Sequence, residues 1–210
     1  MIVVDTEFTS FDFNKGGLWQ IGALELEKPS NQFLQEARLD DEDTAEKGAL
    51  EVVGKTEEEL RDKKRQSQKE MLNSFFRWIK DIRIKNLIFQ GQWDFGYILT
   101  KAGKYGLEIP FHYRSFDLHS IAQARYMDIE NKLLIEGDHS GMGLPKVLEF
   151  CGMPDSRRII GDRGDVIKIG TAHNALEDAK LTGECFSRLI YGKNLFSEYS
   201  KYKIPKELAK

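Results

Sequence analysis

The sequence predicts an α/β fold in a single domain, and three observations carry that expectation. Apolar, β-branched runs of strand length recur between segments whose apolar residues return at helical spacing. At 210 residues the chain suits one α/β domain with an ample core. Neither an internal repeat nor a low-complexity linker divides it. Hydrophobic residues make up 40% and charged residues 31%, which places the chain among soluble globular proteins rather than disordered or membrane ones.

Residues 2–8 end an apolar run with Asp5 and Glu7, and this is the first strand. The stretch 18–26 reads as a second strand and 31–39 as a third, followed by a solvated acidic loop at Asp40 to Asp43. Thr56 with Glu59 forms a capping-box signature. It opens a helix that carries Leu60, Met71, Leu72, Phe75, Phe76 and Ile79, with a stretch from Arg61 to Lys69 too polar to bury. A strand at 86–90 breaks at Gly91, and a helix runs from Trp93 to about Gly103. Ser115 to Ser120 reads as a short strand feeding a helix whose N-cap is Asp117. A flexible loop at 137–143 precedes a helix at 144–150, closed by Gly152 and Pro154. Residues 155–172 look irregular and Gly-rich, and a last amphipathic helix spans 174–189. The organisation is a domain over 1–190 with a charged C-terminal extension over 191–210.

Chemistry concentrates at three places. Asp5 and Glu7 lie two apart on a strand, so both point to one side of it. Carboxylates held so close repel unless a cation lies between them. Asp94 arrives where the fourth strand breaks into a helix, in the run Gly91-Gln92-Trp93-Asp94. His173 and Asp178 open the last helix. Five helical residues turn about 500°, which would set the two side chains roughly 140° apart. Asn174 and Glu177 resolve this as N-cap and capping-box partner, placing His173 in the preceding loop and Asp178 in the first turns. Hard oxygen donors of this kind select Mg²⁺ or Mn²⁺ over zinc.

Asp, Glu, Asp, then His-x4-Asp, in that chain order, resembles the DEDDh family of 3′→5′ exonucleases, from Val3 to about Leu189. The resemblance implies an RNase H-like fold, a mixed β-sheet flanked by helices. It implies two divalent cations, Mg²⁺ or Mn²⁺, held by Asp5, Glu7, Asp94 and Asp178, with His173 as general base. It also implies hydrolysis of phosphodiester bonds at the 3′ end of single-stranded nucleic acid, releasing nucleoside 5′-monophosphates. Gly91-x-Trp93-Asp94 is similar to the variant in histone-mRNA-type and sporulation-inhibitor-type exonucleases, rather than the His-Asn-x-x-Phe-Asp form of proofreading subunits. That tilts the expected substrate slightly toward RNA or short single strands over DNA.

Phe8, Thr9 and Trp93 are the substrate-binding candidates. By resemblance, backbone amides near Phe8 and Thr9 hold the 3′-terminal nucleotide. Phe8 stands where the family often has a small or aliphatic residue, and could wedge between bases by stacking. As the residue after Glu7 it should point the other way, into the core, unless the strand twists open there. Two alternatives stay open: a non-catalytic nucleic-acid-binding or interaction module, and an oligoribonuclease-like enzyme confined to very short oligonucleotides.

A net charge of −3 excludes a broadly basic nucleic-acid-binding surface, so any phosphate grip must be local. Candidate basic rims are Arg157, Arg158, Arg163 and Lys168, and the tail lysines Lys201, Lys203 and Lys206, for each of which solvated surface charge is the simpler reading. His112, His119 and His139 have no ligand spacing. Cys151 and Cys185, both in apolar helical patterns, suit buried free thiols and a cytoplasmic location, unless the fold brings them together. No apolar run reaches membrane-span length, and the chain starts into a strand without a secretory h-region.

Overall fold

A computed structural model describes residues 1–160 and 166–209. Its centre is a five-stranded sheet in the order β3-β2-β1-β4-β5. The strands are β1 (Ile2–Phe8), β2 (Leu18–Glu25), β3 (Lys28–Glu36), β4 (Leu87–Phe89) and β5 (Phe116–Asp117). β1, β2 and β3 pair antiparallel, whereas β4 runs parallel to β1, and β5 to β4. The expected mixed sheet is therefore present.

β1 is buried on both faces because its alternating residues feed two cores. Ile2 and Val4 face helices α3 (Gln68–Lys80) and α4 (Trp93–Lys104), among Phe75, Phe76 and Tyr97. Val3 faces the other side, where α5 (Leu118–Glu130), α6 (Leu144–Phe150) and α7 (Ala175–Tyr191) pack through Leu118, Val147 and Phe186. Asp5 and Glu7 continue the Val3 side, toward α7.

The long helix expected from Thr56 is two. α2 (Glu57–Leu60) has the predicted Thr56–Glu59 capping box, and a second box, Ser67 with Glu70, restarts the chain as α3. The intervening residues are too polar to continue a buried helix face, so the chain leaves the helix and Ser67 recaps it. A short helix, α1 (Lys47–Val53), lacks a side-chain cap and was not anticipated. The acidic loop before it is not simply solvated. Asp43 is buried, accepting from Lys101 Nζ at 2.8 Å, the Asp40 amide at 2.9 Å and Gln68. That network ties the base of α1 to α3 and α4. Asp117 caps α5 as expected and also accepts the Gly91 amide at 2.9 Å, which fixes the turn out of β4.

Two short antiparallel strand pairs add to the expected elements. β6 (Ile135–Glu136) with β7 (His139–Ser140) begins just before the expected loop at 137–143, and β8 (Ile159–Ile160) with β9 (Val166–Lys168) lies inside the expected irregular stretch 155–172. After α7, residues 192–209 fold back on it. Arg188, fully buried, donates to Glu184 at 2.8 Å and to the carbonyls of Cys151, Tyr199 and Tyr202. Among the described residues, no helix is long and apolar enough to cross a membrane.

Candidate active site

Four chain segments meet beyond the C-terminal ends of β1 and β4, the crevice where open α/β sheets place ligands. β1 delivers Asp5 and Glu7. α7 comes to them because its N-terminus lies directly on β2 at Gly22, the residue paired with Asp5. A Cβ at Gly22 would stand 2.1 Å from the Ala175 carbonyl carbon and the Leu176 nitrogen, so any side chain there would push the helix off the sheet. Gln20 Oε1 accepts the Ala175 amide at 2.7 Å, and Asn174 caps the amides of Leu176 and Glu177. The anticipated Glu177 partner pairs instead with Lys180 at 2.7 Å.

His173 thus precedes the helix and Asp178 lies within it, as the spacing demanded, and the two meet at 3.1 Å through Nδ1 and Oδ2. Ligand atoms of Glu7, His173 and Asp178 lie within 4.8 Å of one another. Asp94 comes from the first turn of α4. Its Oδ1 accepts both the Thr6 amide and the Thr6 hydroxyl at 2.8 Å, an amide left free because β1 pairs with β4 only as far as Val3.

Burial and mutual repulsion dominate the electrostatics. Asp5 is held well above the ordinary carboxylate range by burial and by the charges of Asp94, Asp178 and Glu7, with Arg157 opposing. Glu7 is raised likewise, by burial, Asp178 and Asp94. Asp94 is pushed up to about 7, chiefly by burial, against its Thr6 hydrogen bonds. Glu7 Oε1 is buried and finds no hydrogen-bond donor among the described residues. Such a donor set is short of positive charge, and divalent cations with hard-oxygen preference fit it.

These carboxylates floor a cleft of about 580 Å³, whose walls are Phe8, Phe11 and Trp93 on one side and α1 with Val52 on the other. Phe8 lies on the same side of β1 as Ile2 and Val4, half-buried against their core, and also lines the cleft; the extra residue where β1 and β2 slip register, Trp19, belongs to β2. The alternation-based expectation of a core-facing side chain therefore holds, and the same residue contributes to the cleft wall. The Phe8 ring stacks on Tyr97 at 4.6 Å, and Trp93 packs against Phe11 and Phe13. Phe11 is 64% exposed at the lip, a stacking surface with no periodic signal in the sequence to reveal it.

Thr9 does not join the cleft. Its amide is bonded to Gly17 O, its hydroxyl to Thr44 O at 2.6 Å, and its side chain is buried. It clamps the loops beneath α1, so its amide is not free for a nucleotide. The tail lysines are also displaced: their segment is tied to Arg188, ten residues or about 15 Å along α7 from Asp178. Arg157 is no surface charge, being 7% exposed beside Asp178, and Arg158 reaches the Glu51 carbonyl of α1 at 2.6 Å. Lys168 Nζ is taken by the Asp155 carbonyl, and Arg163 lies outside the described residues.

The fold is shared with solved structures of several nucleases. Solved structures similar to the chain include cell-death related nuclease 4, at 16% identity and TM-score 0.65 over 92% of this chain and 64% of that one. The nuclease domain of 3′hExo, a DEDDh family member bound to rAMP, matches at 17% identity and TM-score 0.64 over 98% and 95%. The zinc-ion-bound E. coli ExoI–ssDNA complex matches at 14% identity and TM-score 0.66, over 91% of this chain and 40% of that one. The chain thus spans less than two thirds of two of these proteins. No protein-family model matches the sequence, and no curated protein does.

Proposed function

We propose that this protein is a metal-dependent 3′→5′ exonuclease that hydrolyses the terminal phosphodiester of single-stranded nucleic acid and releases nucleoside 5′-monophosphates. The observation that carries the reading is the uncompensated cluster of Asp5, Glu7, Asp94 and Asp178, gathered with His173 at one end of the sheet. A fold shared with exonucleases supports it, as does a 3′hExo neighbour that binds rAMP.

The four carboxylates would hold two divalent cations, Mg²⁺ or Mn²⁺, which supply Lewis acidity to the phosphoryl oxygens and lower the pKa of water. His173 would take the proton of the attacking water. In the structure its Nε2 meets Arg158 O at 2.9 Å while Nδ1 faces Asp178 at 3.1 Å. Its place on the loop before α7 suits a base that must approach a bound water. Phe11 and Trp93 offer faces on which terminal bases can stack whatever their identity.

Activity is assigned to residues 1–190, with 191–210 bracing α7. Cys151 and Cys185 are buried free thiols, consistent with a cytoplasmic setting. RNA is slightly preferred on the Trp93-Asp94 motif. One observation favours the second reading, restriction to short oligonucleotides. Among the described residues, the cationic side chains lining the cleft besides His173 are Lys47 and the buried Arg157, which offer little grip on phosphates further along a strand.

The test uses 5′-labelled single-stranded RNA and DNA of two to thirty nucleotides with Mn²⁺, with and without chelator, beside Asp178→Ala. Metal-dependent laddering from the 3′ end, lost in the variant, is expected, and its length dependence separates the two enzymatic readings. Binding without laddering would replace them with a non-catalytic module.

A further inference from the structure

Asp178 is not free to choose its orientation. Its Oδ2 receives Arg157 Nη1 at 3.2 Å as well as His173 Nδ1 at 3.1 Å. Arg157 is in turn gripped from behind. Its Nε and Nη2 form a two-pronged contact with the Asp155 carboxylate at 3.0 and 2.9 Å, and its amide bonds Asp155 Oδ1 at 2.9 Å. The backbone is clamped as well. Arg157 bridges Thr171, whose amide bonds Ser156 O at 2.9 Å, while the Arg158 amide bonds Thr171 O at 2.8 Å. A Cβ at Gly170 would stand 2.4 Å from Arg157 O, so the two segments touch backbone to backbone.

We propose that Asp155 and Arg157 form a positioning relay that presents Asp178 for cation capture and holds His173 in line with it. This rests on the metal-dependent reading above. The alternative role for a buried arginine here is a competitor that occupies the cation site, and the charge count decides between them. Four carboxylates match the four positive charges of two divalent cations, and Asp155 with Arg157 adds no net charge. An arginine acting as a stand-in cation would lack its own carboxylate. Both donors converge on Oδ2, which leaves Oδ1 of Asp178 for the cation. Geometry is the relay's contribution, because the planar guanidinium holds the Asp155 carboxylate through two parallel contacts while its third nitrogen reaches Asp178, a fixed fork that a point-like ammonium does not impose.

The experiment is Mn²⁺ binding by calorimetry and electron paramagnetic resonance, without nucleic acid, for the full chain and for Arg157→Met, Arg157→Lys and Asp155→Asn. Outer-sphere partners of this kind alter metal affinity by about 10–100-fold. Arg157→Met and Asp155→Asn should each weaken Mn²⁺ binding about tenfold, Arg157→Lys should fail to restore it, and a variant combining Asp155→Asn with Arg157→Met should be no worse than Arg157→Met alone. Melting of the metal-free proteins is followed in parallel. A fall in thermal stability with wild-type Mn²⁺ affinity would mean a merely structural role and overturn the relay. Tighter binding by Arg157→Met would identify a competitor and overturn it too, as would absence of Mn²⁺ binding in the wild type. If Arg157→Met does not fold, Asp155→Asn breaks the same fork with the arginine in place. A wild type that binds Mn²⁺ without degrading strand ends would sink the nuclease reading and leave the relay standing.

Discussion

Two buried charged networks lie along the same helix, and they are built on opposite terms. Near the C-terminus of α7, Glu184 and Arg188 are both fully buried, and each polar atom has a partner. Glu184 accepts from Arg188 and from the amides of Leu195 and Phe196, while Arg188 also reaches Asn194 and three carbonyls. The network is neutral and closed. At the N-terminal end, Asp178 joins three further carboxyl groups, a surplus of acids over cations, with a Glu7 oxygen that has no donor among the described residues. Burial alone does not mark function, since Glu184 is the more deeply buried of the two acids. What separates them is satisfaction: a closed network stabilises one fold, and an open one awaits a ligand.

The contrast can be broken most sharply at His173. His173→Gln should lower kcat by about 10²–10⁴-fold, the usual worth of a general base, with little change in melting temperature. A variant with wild-type kcat would remove His173 from the reaction. Arg188→Met should do the reverse, leaving Glu184 buried and unpaired at about 3–5 kcal/mol. Melting should then fall by roughly 10 °C while kcat of the folded fraction is retained. Loss of activity without loss of stability would show that the two networks are coupled.

A smaller effect appears with pH. The folded-state pKa values of Asp5, Glu7 and Asp94 are raised, the last to about 7, so the folded protein keeps protons that the unfolded chain has released. Stability of the metal-free protein should therefore be highest near pH 4 and fall as pH rises through about 7. Saturating Mn²⁺ should offset that fall, as read by denaturant unfolding at pH 5 and pH 8. A metal-free protein more stable at pH 8 would contradict the electrostatics described here. The smallest change is expected from Phe11→Ala, which should raise KM about tenfold through lost base stacking and leave kcat nearly unchanged. An unaltered KM would place the strand on another wall of the cleft.

Much of this was legible in the residues. The strands at 2–8 and 18–26 and the helices at 93–103 and 144–150 follow from periodicity and turn residues, and the structure has them. The five acidic and imidazole candidates were legible because their chain order and local context are distinctive. α1 escaped because it lacks a side-chain cap and has too little length to show a period. The split between α2 and α3 was hidden by reading one capping box where there were two. Arg157 reads as a surface charge because its local pairing with Asp155 would suit a solvated loop equally well, and the contact that marks its burial, Asp178, is twenty-one residues away.

Local chemistry therefore determined the strand-borne carboxylate pair, the cap that sets His173 off the helix, and the α/β class. Those depend on neighbours within a few residues, where alternation and hydrogen-bond geometry leave few choices. Tertiary structure alone decided that α7 rests on Gly22, that Phe8 stacks on Tyr97 beside the cleft, and that Arg157 stands behind Asp178. Those contacts join residues far apart in the chain, and their energies depend on close approach and desolvation, which no local pattern encodes.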